Sequence, residues 1–83
     1  MIIYKTVNAI NGKFYIGQDT NNNPKYLGSG TLIKLAIKKY GRENFQKEIL
    51  EYCSTQEELN EKEKYWIKET KAIKLGYNLA EGG

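Results

Sequence analysis

Two tyrosines, Tyr4 and Tyr15, stand on either side of an Asn11-Gly12 pair, and Glu63 lies far along the chain where helical periodicity turns it inward. Phenols and a carboxylate can hold a water, a phosphate oxygen or a hard cation. Little else in these 83 residues offers acid, base or nucleophile chemistry, because there is no histidine and one cysteine, Cys53. Without histidine there is no Ser/His or Cys/His dyad, and Cys53 alone makes neither an internal disulfide nor a Cys/His zinc site. Any catalysis must use Tyr, Lys, Arg, Glu, Asp or a metal held by oxygen.

The elements that place these groups are legible in outline. Segments 2–7 and 13–17 are rich in β-branched and aromatic residues, and the Asn11-Gly12 pair between them is a strong hairpin signal. A hairpin with an even number of loop residues pairs positions whose numbers sum to an odd value. Tyr4 and Tyr15 therefore share one face whether the turn closes at Asn11-Gly12 or slips. Strand tyrosines are commonly packed residues with a wet hydroxyl, so the shared face alone does not assign them a role. Residues 18–30 hold most of the turn formers and read as an ordered loop ending in Gly28-Ser29-Gly30. Those glycines lack the spacing of a phosphate-binding loop and serve equally as a loop-to-helix junction.

From Thr31, the positions Leu32, Ile33, Ala36, Ile37 and Tyr40 form the stripe of an amphipathic helix that Gly41 stops, with Lys34, Lys38 and Lys39 off that stripe. Residues 44–52 read as a third strand whose alternation breaks at Ile49-Leu50. Thr55-Gln56-Glu57-Glu58 is a capping box opening a second helix to about Thr70 or Lys71. At 100° per residue, Leu59, Glu63, Trp66 and Thr70 fall on the stripe that faces the core. A carboxylate there is either an ion-pair partner or a site residue at the rim of a cleft. Gly76-Tyr77-Asn78-Leu79 turns into a short closing segment, and Glu81-Gly82-Gly83 resembles the start of a linker.

Composition supports one small globular domain: 40% apolar residues, 28% charged and a single proline place the chain among folded rather than disordered sequences, and its length allows one core. No stretch approaches the roughly 18 apolar residues of a membrane span, and the N-terminus lacks the order of a signal peptide. The net charge of +3 is uneven. Residues 1–42 carry six Lys and one Arg against one Asp (+6), and residues 43–83 carry six Lys against nine Glu (−3). A basic front half interleaved with tyrosines fits a polyanion partner, although a merely solvated lysine face gives the same pattern.

Ile3-Tyr4, Tyr15-Ile16-Gly17, Glu63 three positions before Trp66-Ile67-Lys68, and Gly76-Tyr77-Asn78 together resemble the GIY-YIG nuclease domain, closest to phage-type homing endonucleases. The resemblance implies a fold of the α/β (α+β) class, a small sheet opened by an antiparallel β-hairpin and flanked by helices, with residues 1–83 as a single catalytic domain. It implies cleavage of double-stranded DNA with one divalent cation, Mg²⁺ with Mn²⁺ as substitute, and location in the cytoplasm of a bacterial or phage-infected cell. Glu63 would bind the metal, Tyr4 and Tyr15 would line the site, Asn78 would support it, and Gly17 is the family's glycine. Two departures stand out. Ile2 replaces the first glycine of the signature. The family's catalytic arginine is absent, and the only arginine is Arg42, just past the first helix. Counting from Gly17 puts Lys25 in its place, whereas helix position puts Lys34 there, with Lys38 one turn on; helix geometry favours Lys34. Lysine supplies charge but not a planar two-pronged grip, so the alternative is a catalytically weak or inactive DNA-binding module. Lys25, Lys38, Lys39 and Arg42 are the expected DNA contacts. A DNA-recognition domain beyond residue 83 and a minimal enzyme are both compatible with the sequence.

Overall fold

A computed structural model describes residues 1–80. Three antiparallel strands, β1 (Ile2–Asn8), β2 (Phe14–Asp19) and β3 (Phe45–Tyr52), form a sheet in the order β2-β1-β3. The helices are α1 (Thr31–Tyr40), α2 (Gln56–Thr70) and a short α3 (Ala72–Leu75), with a 3-10 turn at Arg42–Asn44. The expected architecture is present, and the short α3 adds an element that four residues could not announce through periodicity.

The hairpin closes two residues deeper than an Asn11-Gly12 turn would. Asn8 N–H bonds the Lys13 carbonyl at 2.8 Å, leaving a four-residue loop that ends at Gly12 with φ +78°. The shift is even, so side-chain parity survives: Tyr4 pairs with Gly17 and Thr6 with Tyr15, and both tyrosines lie on one face. In β3 the broken alternation at Ile49-Leu50 has a structural cause. Ile3 pairs with Glu51 and Tyr4 with Ile49, so Leu50 is the extra residue of a β-bulge and turns toward the core.

The sheet has a core on each side. On one face, Ile3 and Ile16 pack with Cys53, Leu59, Ile67 and Ala72 beneath α2 and α3; on the other, Leu27, Ile33, Ala36 and Phe45 pack with Tyr15 beneath α1. The N-cap of the expected capping box forms, with Thr55 Oγ1 accepting the Glu58 N–H at 3.1 Å, while Glu58 Oε1 reaches one residue further back and accepts the Ser54 N–H at 2.9 Å. The buried stripe of α2 is Leu59, Glu63 and Ile67, so Ile67 takes the buried place expected of Trp66, which is half-buried with its Nε1 donating to Glu51 Oε1 at 2.9 Å. Lys71 in the left-handed conformation ends α2.

The strand β2 is one of the two edges of the sheet, and a side chain caps it at its middle. Asn78 Oδ1 accepts the Ile16 N–H at 2.9 Å while its Nδ2 donates to the Ile16 carbonyl at 2.8 Å. Both backbone groups that a fourth strand would take at that position are therefore satisfied. Tyr77 N–H donates to the Phe14 carbonyl at 2.7 Å next to it.

Candidate active site

Because β2 is an edge strand, groups from both faces of the sheet can meet around it. A cleft of about 460 Å³ lies there, lined by Tyr15, Gln18, Thr31, Glu63, Tyr77 and Asn78 among others. Tyr15 arrives from the α1 face and Glu63 from α2 on the opposite face. The sequence signal for Glu63 was its inward position, and it is 7% exposed, with Oε1 accepting from Gln18 Nε2 at 3.2 Å. Burial, and then the charge of Glu63, push the Tyr15 phenol above its ordinary pKa, against an opposing hydrogen bond from the Gly30 amide. At neutral pH this hydroxyl keeps its proton, so it can donate to a phosphate oxygen or orient a water.

The glycines around Tyr15 explain the loop before α1. A Cβ at Gly17 or Gly28 would lie 2.9 Å from the Tyr15 ring, and one at Gly30 would lie 3.0 Å away. Three glycines thus let backbone approach one aromatic ring from several sides. The spacing of Gly28-Ser29-Gly30 serves this packing, and the residues border the cleft through Ser29 and Gly30.

Tyr4 lies deeper. It is 1% exposed, its ring centroid is 6.3 Å from that of Tyr15, and Lys47 Nζ sits 4.4 Å from its own centroid. Burial, with smaller contributions from Tyr15 and Tyr26, raises its pKa strongly. Lys47 also pairs with Asp19 at 3.1 Å and donates to the Asn23 carbonyl at 2.7 Å, tying β3 to the loop after β2. Burial opposes ionisation of Asp19, but Lys47 and the Asn23 and Asn21 amides outweigh it and hold the carboxyl below its ordinary pKa.

The structure therefore gathers Tyr15, Glu63 and Asn78 at one cleft, with Gly17 and Tyr4 packed behind Tyr15. Lys34 is exposed on α1, one turn beyond the cleft-lining Thr31, and is not itself among the lining residues. Lys25 is exposed on the loop, Lys38 and Lys39 on the last turn of α1, and Arg42 at the 3-10 turn. Lys39 borders a separate groove with Lys13, Asn11 and Tyr40. Among the described residues no three Asp, Glu or Cys side chains cluster as a metal cage. The donor set at the cleft is instead one buried carboxylate beside a phenol, which fits Mg²⁺ held by a single carboxylate, waters and a substrate phosphate.

Sequence reasoning missed Gln18 and Tyr77 as lining groups. Tyr77 Oη accepts from Asn8 Nδ2 at 3.1 Å and from Asn11 Nδ2 at 3.2 Å. These contacts span more than sixty positions and leave no local pattern. The proposed start of a linker at 81–83 lies outside the described residues. No helix among the described residues is long and apolar enough to cross a membrane.

The model of the GIY-YIG catalytic domain matches residues 1–78. The segD protein of Enterobacteria phage T4 is 45% identical over 85 residues, a match covering 99% of this chain and 38% of segD. The segB protein of the same phage is 47% identical over 83 residues, covering 96% of this chain and 38% of segB. Among solved structures, a variant of the catalytic domain of intron endonuclease I-TevI is similar with a TM-score of 0.83 and 25% identity, over 98% of this chain and 94% of that one. This chain spans less than two-fifths of the length of these curated relatives.

Proposed function

The chain belongs to the GIY-YIG family of nuclease domains, of the homing-endonuclease type, and from that membership we propose that it is an endodeoxyribonuclease catalytic module hydrolysing phosphodiester bonds of double-stranded DNA with one divalent cation. The observation that carries this reading is the meeting of Tyr15 and Glu63 across the edge of β2, in a cleft open to solvent. Glu63 would hold Mg²⁺ or Mn²⁺. When bound, the cation lowers the pKa of water and offsets charge on the leaving oxygen.

The chain's own residues supply the rest. Tyr15, kept protonated by burial and by Glu63, orients a water or holds a phosphate oxygen through its hydroxyl. Tyr4 backs that ring and, through Gly17, keeps it at the cleft. Asn78 fixes the strand from which Tyr15 projects. Lys34 supplies cationic charge to the scissile phosphate in place of the missing arginine, while Lys25, Lys38, Lys39 and Arg42 contact flanking phosphates. Such contacts position DNA without reading its sequence. The greater length of the relatives is consistent with a DNA-recognition domain beyond residue 83, and a nuclease of this type acts in the cytoplasm of a bacterial or phage-infected cell.

One observation favours a second reading, a DNA-binding module that has lost cleavage: neither lysine nor arginine lines the cleft among the described residues. Plasmid incubated with the chain and Mg²⁺ or Mn²⁺, with and without EDTA, separates the two. Glu63→Gln is expected to abolish metal-dependent cleavage while fold and DNA affinity persist. Lys34→Ala is expected to slow cleavage by about 10²- to 10³-fold, and Lys25→Ala to act mainly on affinity. A wild-type chain that binds DNA but never cuts establishes the second reading.

A further inference from the structure

Gln18 directly follows the signature glycine and, by strand alternation, points to the face opposite Tyr15, toward α2. There its amide is fully engaged. Nε2 donates to Glu63 Oε1 at 3.2 Å and to Asn60 Oδ1 at 3.0 Å, while Oε1 accepts from Gln56 Nε2 at 2.8 Å. Gln56 Nε2 also donates to Asn60 Oδ1 at 2.9 Å. Gln18, Gln56 and Asn60 thus close a triangle of amides. Its polarity is set, because turning the Gln18 amide over would bring its oxygen against the Glu63 carboxylate and its NH₂ against the Gln56 donor.

We infer that Gln18 is a positioning residue for Glu63: the amide triangle of Gln18, Gln56 and Asn60 fixes the rotamer of this carboxylate so that the cation finds its ligand already oriented. The inference rests on the proposed metal-binding role of Glu63. The need for such a device follows from the donor set. A site with one protein carboxylate has no second ligand to define its geometry, so a group hydrogen-bonded to that carboxylate must do so. Partners of this kind govern metal affinity by about 10- to 100-fold. Gln56 is exposed and Gln18 half-buried, so their side chains contribute little to the core.

Mn²⁺ binding is measured by the loss of the free-ion electron paramagnetic resonance signal, without DNA, for wild type, Gln18→Ala, Gln56→Ala and Glu63→Gln, with a thermal melt of each. Cleavage is then followed against Mn²⁺ concentration. Gln18→Ala is expected to raise half-saturating Mn²⁺ by about tenfold or more, with cleavage recovering toward wild type at saturating metal and the melting temperature little changed. Gln56→Ala, which loosens Gln18 without removing it, is expected to give a smaller shift in the same direction. Wild-type Mn²⁺ affinity in both alanine variants overturns the inference while leaving the function of Glu63 standing. Equal binding by wild type and Glu63→Gln overturns the metal-binding reading and the inference with it.

Discussion

Replacing Gly17 by alanine isolates a steric constraint from a conformational one. Gly17 lies in β2 opposite Tyr4, and its backbone is of a kind any residue adopts. Its added Cβ would nevertheless lie 2.5 Å from Tyr4 Oη, 2.6 Å from Tyr4 Cζ and 2.9 Å from Tyr15 Cε2. Neither ring has room to retreat, because Tyr4 lies under Lys47 and Tyr15 is hemmed by Gly28 and Gly30. Overpacking of this kind costs about 1–3 kcal/mol. Alanine also restricts the unfolded chain, which returns roughly 0.4–1 kcal/mol. The net loss is about 1–2 kcal/mol, or roughly 5–15 °C in Tm for a domain of this size. Calorimetry measures it, and cleavage should fall as well, because the crowded pair includes Tyr15, which lines the cleft. Gly12→Ala is the contrast: nothing lies within 4 Å of its Cβ, but φ is +78°, so it should lose about 1 kcal/mol through backbone strain and keep full activity. A Gly17→Ala protein melting within about 2 °C of wild type would refute the steric reasoning.

Asn78→Ala removes both bonds to Ile16 and leaves buried backbone groups unpaired, which should lower stability by about 2–3 kcal/mol in denaturant melts and slow cleavage through loss of order in β2. Lys47→Met leaves the Asp19 carboxylate buried with only amide partners and should cost about 2–4 kcal/mol at pH 7. Asp19 has a depressed folded pKa, so the wild-type stability it contributes is present above its unfolded value near 3.9 and is lost as pH falls through the lower folded value. The acid limb of the wild-type stability curve should flatten in Asp19→Asn. At the other extreme, Tyr4 has a raised folded pKa, so its contribution is complete below the unfolded value near 10 and is lost as pH rises beyond it. Alkaline melts of Tyr4→Phe should lose part of that slope.

What could be read in the sequence was whatever repeats locally. The period of two along a hairpin placed Tyr4 and Tyr15 together regardless of where the turn closed, and the helical period marked Glu63 as a charge on an apolar stripe. The same logic located the irregularity at Ile49-Leu50 without revealing that a bulge absorbs it. Gln18, Tyr77 and the Lys47–Asp19 pair escaped because their meaning lies in partners 28 to 69 positions away, and an isolated amide or ion on an alternating strand has no signature. The role of Gly28 and Gly30 was hidden likewise: a loop-to-helix junction explains glycines there on its own, and only the Tyr15 ring packed against them shows what they do.

The pairing of Asn78 with Ile16 also bears on how the protein behaves in a crowd of its own copies. An unpaired edge strand is a template on which another chain can add, and proteins blunt such edges to stay monomeric. Here one amide side chain occupies the backbone groups at the middle of β2, and the Tyr77 N–H takes the neighbouring Phe14 carbonyl. A copy arriving at this edge meets groups already spoken for. The contact that borders the cleft is thus also a guard against strand addition along β2, and a variant that removes it bares that edge as a seed for aggregation.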